Sequence, residues 1–278
     1  MEKEIIERIF ELLTFSTGII PRDSHKTGIV NFLEKHITEL GIKDKEYYDL
    51  LISDSEEMDL LINSATVNET YFFREEKQFQ LLKDKIFASE NLKSEEKNLE
   101  KEPLRIWSAA SSSGEEIYSL YLLASSMGFK TECTASDINT QMLEKGRIGK
   151  YKGRSSRTVD GSSFHYLLEP FKKEDGSYEF EKSITEKIDF KRINLSKLKD
   201  FPKNQNLIFL RNVFIYFDVK TRKKILEKIV SECLIPGGIL FVSMNEIASI
   251  DNSIIPESLE KKFDGKVFYF QKKEGGNA

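Results

Sequence analysis

Arg105-Ile-Trp-Ser-Ala-Ala-Ser-Ser-Ser-Gly-Glu-Glu-Ile-Tyr118 reads as a short apolar strand, a turn of small residues and the opening of a helix. Small side chains in such a turn let a ligand approach the backbone, and the first N–H groups of the helix, which lack partners within it, face that ligand. With one glycine the turn is not the G-x-G-x-x-G dinucleotide fingerprint, and a plain strand-to-helix connection would look the same. The next strand, over 131–136, leads into Asp137, which follows Gly114 by 23 positions. In nucleotide-binding α/β folds an acid at about this separation takes the ribose hydroxyls, because a carboxylate accepts two hydrogen bonds from a vicinal diol. An aspartate there would equally suit the N-cap of the following helix.

Working outward, apolar runs alternate with amphipathic ones: strand 104–109, helix 115–127, strand 131–136, helix 139–148, strand 188–193, strand 207–212 and helix 219–234. A turn at Pro236-Gly237-Gly238, strand 239–244 and a last strand near Val267 to Gln271 complete the pattern. Strand-helix alternation predicts a parallel sheet, and two final strands without a helical crossover predict an antiparallel pair at its edge. Residues 151–190 fit neither grammar, and Asp175-Gly176 between short alternating arms predicts a hairpin. From Glu2 to about Ala88 apolar residues recur at three- and four-residue spacing, which predicts helices broken at 17–21 and at Gly41, with a new start at Ser53-Asp54-Ser55. Residues 91–102 carry seven charges in twelve positions and have too little apolar surface to offset their ordering entropy. The expected organisation is a helical domain over 1–90, a charged linker over 91–103, and an α/β domain over 104–278 with an inserted β-subdomain at 151–190.

The 278 residues are 39% hydrophobic and 32% charged, the balance of a soluble globular chain. No stretch approaches the roughly 18 apolar residues that span a bilayer, and the opening MEKEIIERIF is charged throughout. Cys133 and Cys233 are too few and too isolated for a disulfide framework, and His25, His36 and His165 are scattered, so the expectation is a cytoplasmic protein without a metal site. A net charge of −4 gives no field that would draw nucleic acid. Residues 1–67, with 7 Lys/Arg against 14 Asp/Glu, are nevertheless strongly acidic.

Two further constellations complete the pattern. Leu207-Ile-Phe-Leu-Arg211-Asn212-Val-Phe-Ile-Tyr216-Phe-Asp218 is an apolar strand ending in polar residues where ligands sit in open α/β sheets, although Asp218 also suits a helix cap. Asn68-Glu-Thr70-Tyr-Phe-Phe73-Arg74 places two polar hydrogen-bonding residues and a cation around an aromatic block, which is unusual for a plain helix.

Asn68 to Arg74, Ser108 to Ser119, Ser136 to Tyr151, Arg211 to Phe217 and Leu234 to Gly238, in this order, resemble the motifs of the CheR family of chemotaxis receptor methyltransferases. The resemblance implies a small all-helical N-terminal domain and a Rossmann-like class I methyltransferase sheet with an inserted β-subdomain. It implies S-adenosylmethionine (SAM) as cofactor, S-adenosylhomocysteine as product, and chemoreceptor glutamates as acceptors, methylated to esters by a cytoplasmic monomer. Position by position, Asn68, Thr70 and Arg74 resemble the cap over the cofactor and Glu115 the acid at its amino-acid end. Asp137 resembles the ribose ligand, Asn194-Leu195 the adenine-flanking pair, and Asn212-Val213 the pair beside the methionine portion. Arg74 and Tyr216 are the residues expected at the acceptor. The inserted hairpin is similar to the element that some members use to hold a receptor tail by strand addition. Where family members carry arginines on an N-terminal helix, the corresponding Lys26 to Leu40 has Lys26 and Lys35 against Glu34 and Glu39; where they carry G-H-S-E, this chain has Ser243-Met244-Asn245-Glu246. Two other readings of the same residues are a SAM-binding adaptor without turnover and a methyltransferase acting on a non-receptor protein.

Overall fold

The computed structural model describes residues 1–88, 102–157, 159–247 and 250–274, so that most of the charged linker expected over 91–103 lies outside the described residues. The N-terminal apolar spacing produces α1 (Lys3–Thr17), α2 (Asp23–Leu40), α3 (Asp44–Ser53) and α4 (Ser55–Ala65). α1 and α2 stop where Gly18 and Gly41 take left-handed backbone and satisfy carbonyls of the last turn. Asp54 starts α4 by accepting from the backbone N–H groups of Glu56 and Glu57. The apolar stripes of these helices meet around Ile9, Leu13, Leu33, Tyr47 and Leu61, each fully buried.

The apolar residues that follow α4 pack against the sheet. Phe72, Phe73, Phe79, Leu82 and Phe87, which surround the short α5 (Glu76–Leu81), are buried with Ile106, Tyr118 and Phe209 against the sheet. An apolar stripe specifies that a helix must be covered but not which neighbour covers it.

The sheet consists of β1 (Leu104–Ala109), β2 (Thr131–Asp137), β5 (Ile188–Arg192), β6 (Gln205–Leu210), β7 (Leu234–Phe241), β8 (Leu259–Asp264) and β9 (Val267–Lys272), in the order β5-β2-β1-β6-β7-β9-β8. The first five are parallel, and β9 runs antiparallel between β7 and β8. Helices α6 (Glu115–Ser126), α7 (Thr140–Ile148) and α9 (Val219–Lys228) follow β1, β2 and β6. The expected edge pair exists, with Ile239 opposite Gln271, but β8 extends it by a strand whose polar LEKKFD sequence gives little periodic signal. Pro236-Gly237-Gly238 lies inside β7 and is not a turn before it, and the helix expected over 219–234 passes into a π turn after Lys228. Among the described residues no helix is long and apolar enough to cross a membrane.

The insertion holds less β structure than expected. β3 (Lys150–Tyr151) pairs with β4 (Tyr178–Glu179), one further bridge joins Lys172 to Tyr178, and much of the remainder is a series of 3-10 turns before the short α8 (Lys182–Thr185). Aromatic packing holds it to the body: Phe180 stacks on Tyr118 of α6 at 4.4 Å, and Phe72 meets Tyr151 edge-on at 5.0 Å. The Asp175-Gly176 turn is present, closed by Asp175 accepting from the Ser177 N–H and hydroxyl; these bonds and Lys152 hold its carboxyl well below the usual carboxylate range.

Candidate functional site: a cleft at the reversal of the sheet

Strand order reverses at β1, since β2 lies on one side of it and β6 on the other. The connections therefore part at the C-terminal ends of these strands and leave a crevice. The turn after β1 is strained to line it: Ala110 and Ser112 adopt φ of 59° and 49°, unusual for residues with a Cβ. What holds Ser112 there is Asp137, whose Oδ2 accepts from the Ser112 N–H at 2.8 Å while Oδ1 accepts from the Asn139 N–H at 2.9 Å. The N-cap of α7 is Asn139, which accepts from Met142, so Asp137 does not cap this helix. Burial pushes the Asp137 carboxyl above the usual range, while the backbone N–H groups of Asn139, Ser112 and Ile138 act in the opposite sense. Asp137 also lines the crevice, and a carboxylate can accept more bonds than these.

The crevice encloses about 900 Å³ counting the part open to solvent, and Asn68, Thr70, Arg74, Asp137, Asn194, Leu195, Asn212, Val213 and Tyr216 all line it. Residues distant in sequence thus converge on one cleft. Glu115 does not line it. Its carboxylate, 1% exposed, accepts from the hydroxyls of Ser113 at 2.8 Å and Ser155 at 2.6 Å. The next residue on the helix points about 100° away, and it is Glu116 that faces the cleft, accepting from Ser108 Oγ and from Arg211 Nε at 2.7 Å. The expectation for Glu115 is corrected accordingly: a Gly-Glu-Glu sequence does not say which acid the helix will turn inward.

Below the cleft Arg211, 4% exposed, is satisfied from three sides: Glu116, the Arg74 carbonyl at 2.8 Å and Gln78 Oε1 at 2.7 Å. A buried guanidinium with this set of partners ties α6, the cap segment and α5 to the end of β6. Asn212 follows in left-handed backbone, φ 56°. Glu246, in α10 (Met244–Ile247), accepts from the N–H groups of Asn212 at 2.7 Å and Ile215 at 3.2 Å and so fixes the turn that presents Tyr216. Asn194 spends its side chain locally, Oδ1 accepting from Ser196 and Nδ2 donating to the Ser16 carbonyl, so this pair faces the cleft chiefly through Leu195 and backbone. Burial pushes the Tyr216 hydroxyl above the usual tyrosine range, with the cations of Arg22 and Arg74 acting against it, so it remains a donor at neutral pH.

Sequence reasoning did not identify Thr17, Ile19, Ser111, Ser112 or Glu116, which also line the cleft. The first two carry no signal, because only tertiary packing brings the end of α1 over Asn194. The serines are visible in the small-residue turn, and their hydroxyls are buried without a hydrogen-bond partner among the described residues. Unpartnered hydroxyls, an inward carboxylate beside a close-approach turn and apolar flanks at Ile138, Ile193 and Leu195 fit a polar adenosine-type ligand with a charged tail.

A seven-stranded sheet in this order, with that cleft at its reversal, is the arrangement expected of a class I methyltransferase. Residues 68–261 match the family model described as CheR methyltransferase, SAM binding domain. The chain is 33% identical to the chemotaxis protein methyltransferase of Escherichia coli over 86% of this chain and 82% of that protein, and 34% identical to chemotaxis protein methyltransferase 2 of Vibrio cholerae over 77% and 73%. A solved structure, a TehB-like SAM-dependent methyltransferase from Corynebacterium glutamicum, has a distant likeness at 11% identity and TM-score 0.37, covering 73% of this chain and 95% of that one. The chain belongs to the CheR methyltransferase family: it is a SAM-dependent methyltransferase of chemotaxis.

Proposed function

We propose that this methyltransferase acts in the cytoplasm on glutamate side chains of chemoreceptor helices and forms glutamyl methyl esters. The observation that carries the reading is the pairing of a cation and a protonated phenol, Arg74 and Tyr216, on the wall of the cleft that holds the cofactor. The relatives named chemotaxis protein methyltransferases supply the class of acceptor. When bound, SAM supplies an electrophilic methyl group on a sulfonium centre. Asp137 would hold the ribose, Leu195 with the Asn194 backbone would flank the adenine, and Asn212 and Val213 would flank the methionine portion. Asn68 and Thr70 close over the cofactor from the cap.

The acceptor needs no general base, because a glutamate with an ordinary pKa of about 4.3 is already ionised at neutral pH. The chain has instead to orient and desolvate a carboxylate. Arg74 would hold one carboxylate oxygen by a charge-assisted hydrogen bond and the Tyr216 hydroxyl would donate to the other, which orients the acceptor while leaving it lone pairs for attack. Methyl transfer neutralises an anion and a cation together, so the exclusion of water by the cap favours it. The test is transfer of labelled methyl from SAM to chemoreceptor-bearing membranes, followed by mild alkali. Label released as methanol supports a carboxyl ester; base-stable label moves the acceptor to nitrogen, and no label sinks the receptor reading.

A further inference from the structure

The described residues of the insertion contribute nothing to the cleft wall, yet residues 151–157 touch both of its lips. The lower lip is the turn after β1. Tyr151 donates its hydroxyl to the Ser113 carbonyl at 2.7 Å, and Ser155 donates its hydroxyl to Glu115, which also receives Ser113 Oγ. The upper lip is the cap segment 68–74. The Ser155 carbonyl accepts from the Phe72 N–H at 3.0 Å, and Arg157 donates to Glu69 Oε1 at 2.7 Å while its guanidinium lies 4.2 Å from the centre of the Tyr71 ring. Ser155, 5% exposed, therefore holds one lip by its side chain and the other by its backbone. Arg74 closes the upper lip on itself through the Glu69 carbonyl.

We propose that residues 151–157 are a strut in which Ser155 and Arg157 position the two lips of the cofactor cleft, so that the insertion sets how tightly SAM and S-adenosylhomocysteine are held. These are positioning residues; neither faces the cleft. The inference rests on the cofactor occupying this cleft. A cap held open part of the time lowers apparent affinity in proportion to the competent fraction, and Arg157 supplies the adjustable part of the hold because its ion pair and ring contact are partly exposed. Tyr151, within the aromatic core, and the buried Ser155 supply the fixed part.

The test is calorimetric titration of SAM and S-adenosylhomocysteine into the wild-type chain and the variants R157A, R157K, S155A and E69Q. R157A is expected to weaken both ligands about 3- to 20-fold, the range of one partly exposed ion pair with a cation–π contact. R157K is expected to restore only part of this, since an ammonium replaces the charge but not the planar stack. The double variant R157A/E69Q should bind no more weakly than the worse single, because both changes remove one contact. In turnover assays KM for SAM should rise while kcat at saturating SAM stays within twofold, a split that general loosening of the fold would not give. Arg157 is exposed, so R157A tests the proposal even if S155A fails to fold. SAM affinity within twofold of wild type in R157A, or additive losses in the double variant, would overturn it. D137A separates the two readings: if this variant also binds SAM normally, the cofactor site itself is misassigned, and if it alone weakens binding, only the strut fails.

Discussion

Asp137 has two duties that its burial makes inseparable. It holds Ser112 in a strained turn, and on the proposed reading its carboxylate also serves the cofactor ribose. Replacing it with alanine removes charge-assisted bonds of about 1.5–3 kcal/mol, so SAM affinity measured by calorimetry should fall about 10- to 100-fold. Arg74 differs, because on the present reading its guanidinium serves the acceptor. Arg74→Ala should lower kcat about 100-fold while SAM affinity stays within about fivefold. Equal and modest effects from both substitutions would refute this division. Tyr216→Phe should lower kcat about tenfold and leave SAM binding unchanged, since burial keeps the phenol a donor and phenylalanine removes only that hydrogen bond.

At the scale of elements, α7 and β5 meet at Gly146. Helix propensity alone favours alanine there by up to about 1 kcal/mol. Packing opposes it, because a Cβ at Gly146 would lie 2.4 Å from the ring of Phe190, itself buried between α7 and α6. Overpacking of this kind costs about 1–3 kcal/mol, so Gly146→Ala should destabilise the chain, with a lower urea midpoint at unchanged m-value. The same helix shows why caps are hard to read one residue at a time: Asp137 and Asn139 both suit an N-cap, and Asn139 takes the role because its side chain reaches Met142. That assignment leaves Asp137 to the cleft. Glu115 and Glu116 illustrate the converse, since adjacent helical acids face different neighbours and nothing in the dipeptide ranks them.

The helical segment and the sheet are joined across the cleft at several points. Asn63 and Thr140 bond side chain to side chain, Asn139 donates to Thr66 Oγ1 at 2.6 Å, Arg192 pairs with Asp59, and Ile20 donates to the Tyr216 carbonyl at 2.9 Å. Ligand binding should accordingly stabilise the molecule as a whole, and the cysteines report on this. Burial pushes both Cys133 and Cys233 up to about 12. Below the unfolded-chain value of about 8.5 their contribution to stability is fully present, and it is lost as the pH rises toward 12. In native buffer at pH 8 neither thiol should react measurably with a disulfide reagent, denaturant should expose both together, and SAM should slow their labelling at intermediate denaturant; rapid labelling of one thiol in the native state would contradict the packing described.

The order of strands and helices from β1 to β7, the acid after the close-approach turn, the polar end of β6 and the cap motif are legible in the sequence because each is a local pattern: a period of hydrophobicity, a spacing, a run of small residues. Tertiary structure alone decided that α5 packs with the sheet, that Glu116 and not Glu115 faces the cleft, that the end of α1 lies over Asn194, and that residues 151–157 contact both lips. These outcomes depend on which buried surfaces meet and which oxygens find donors, and such pairings between residues tens of positions apart leave no trace in local spacing.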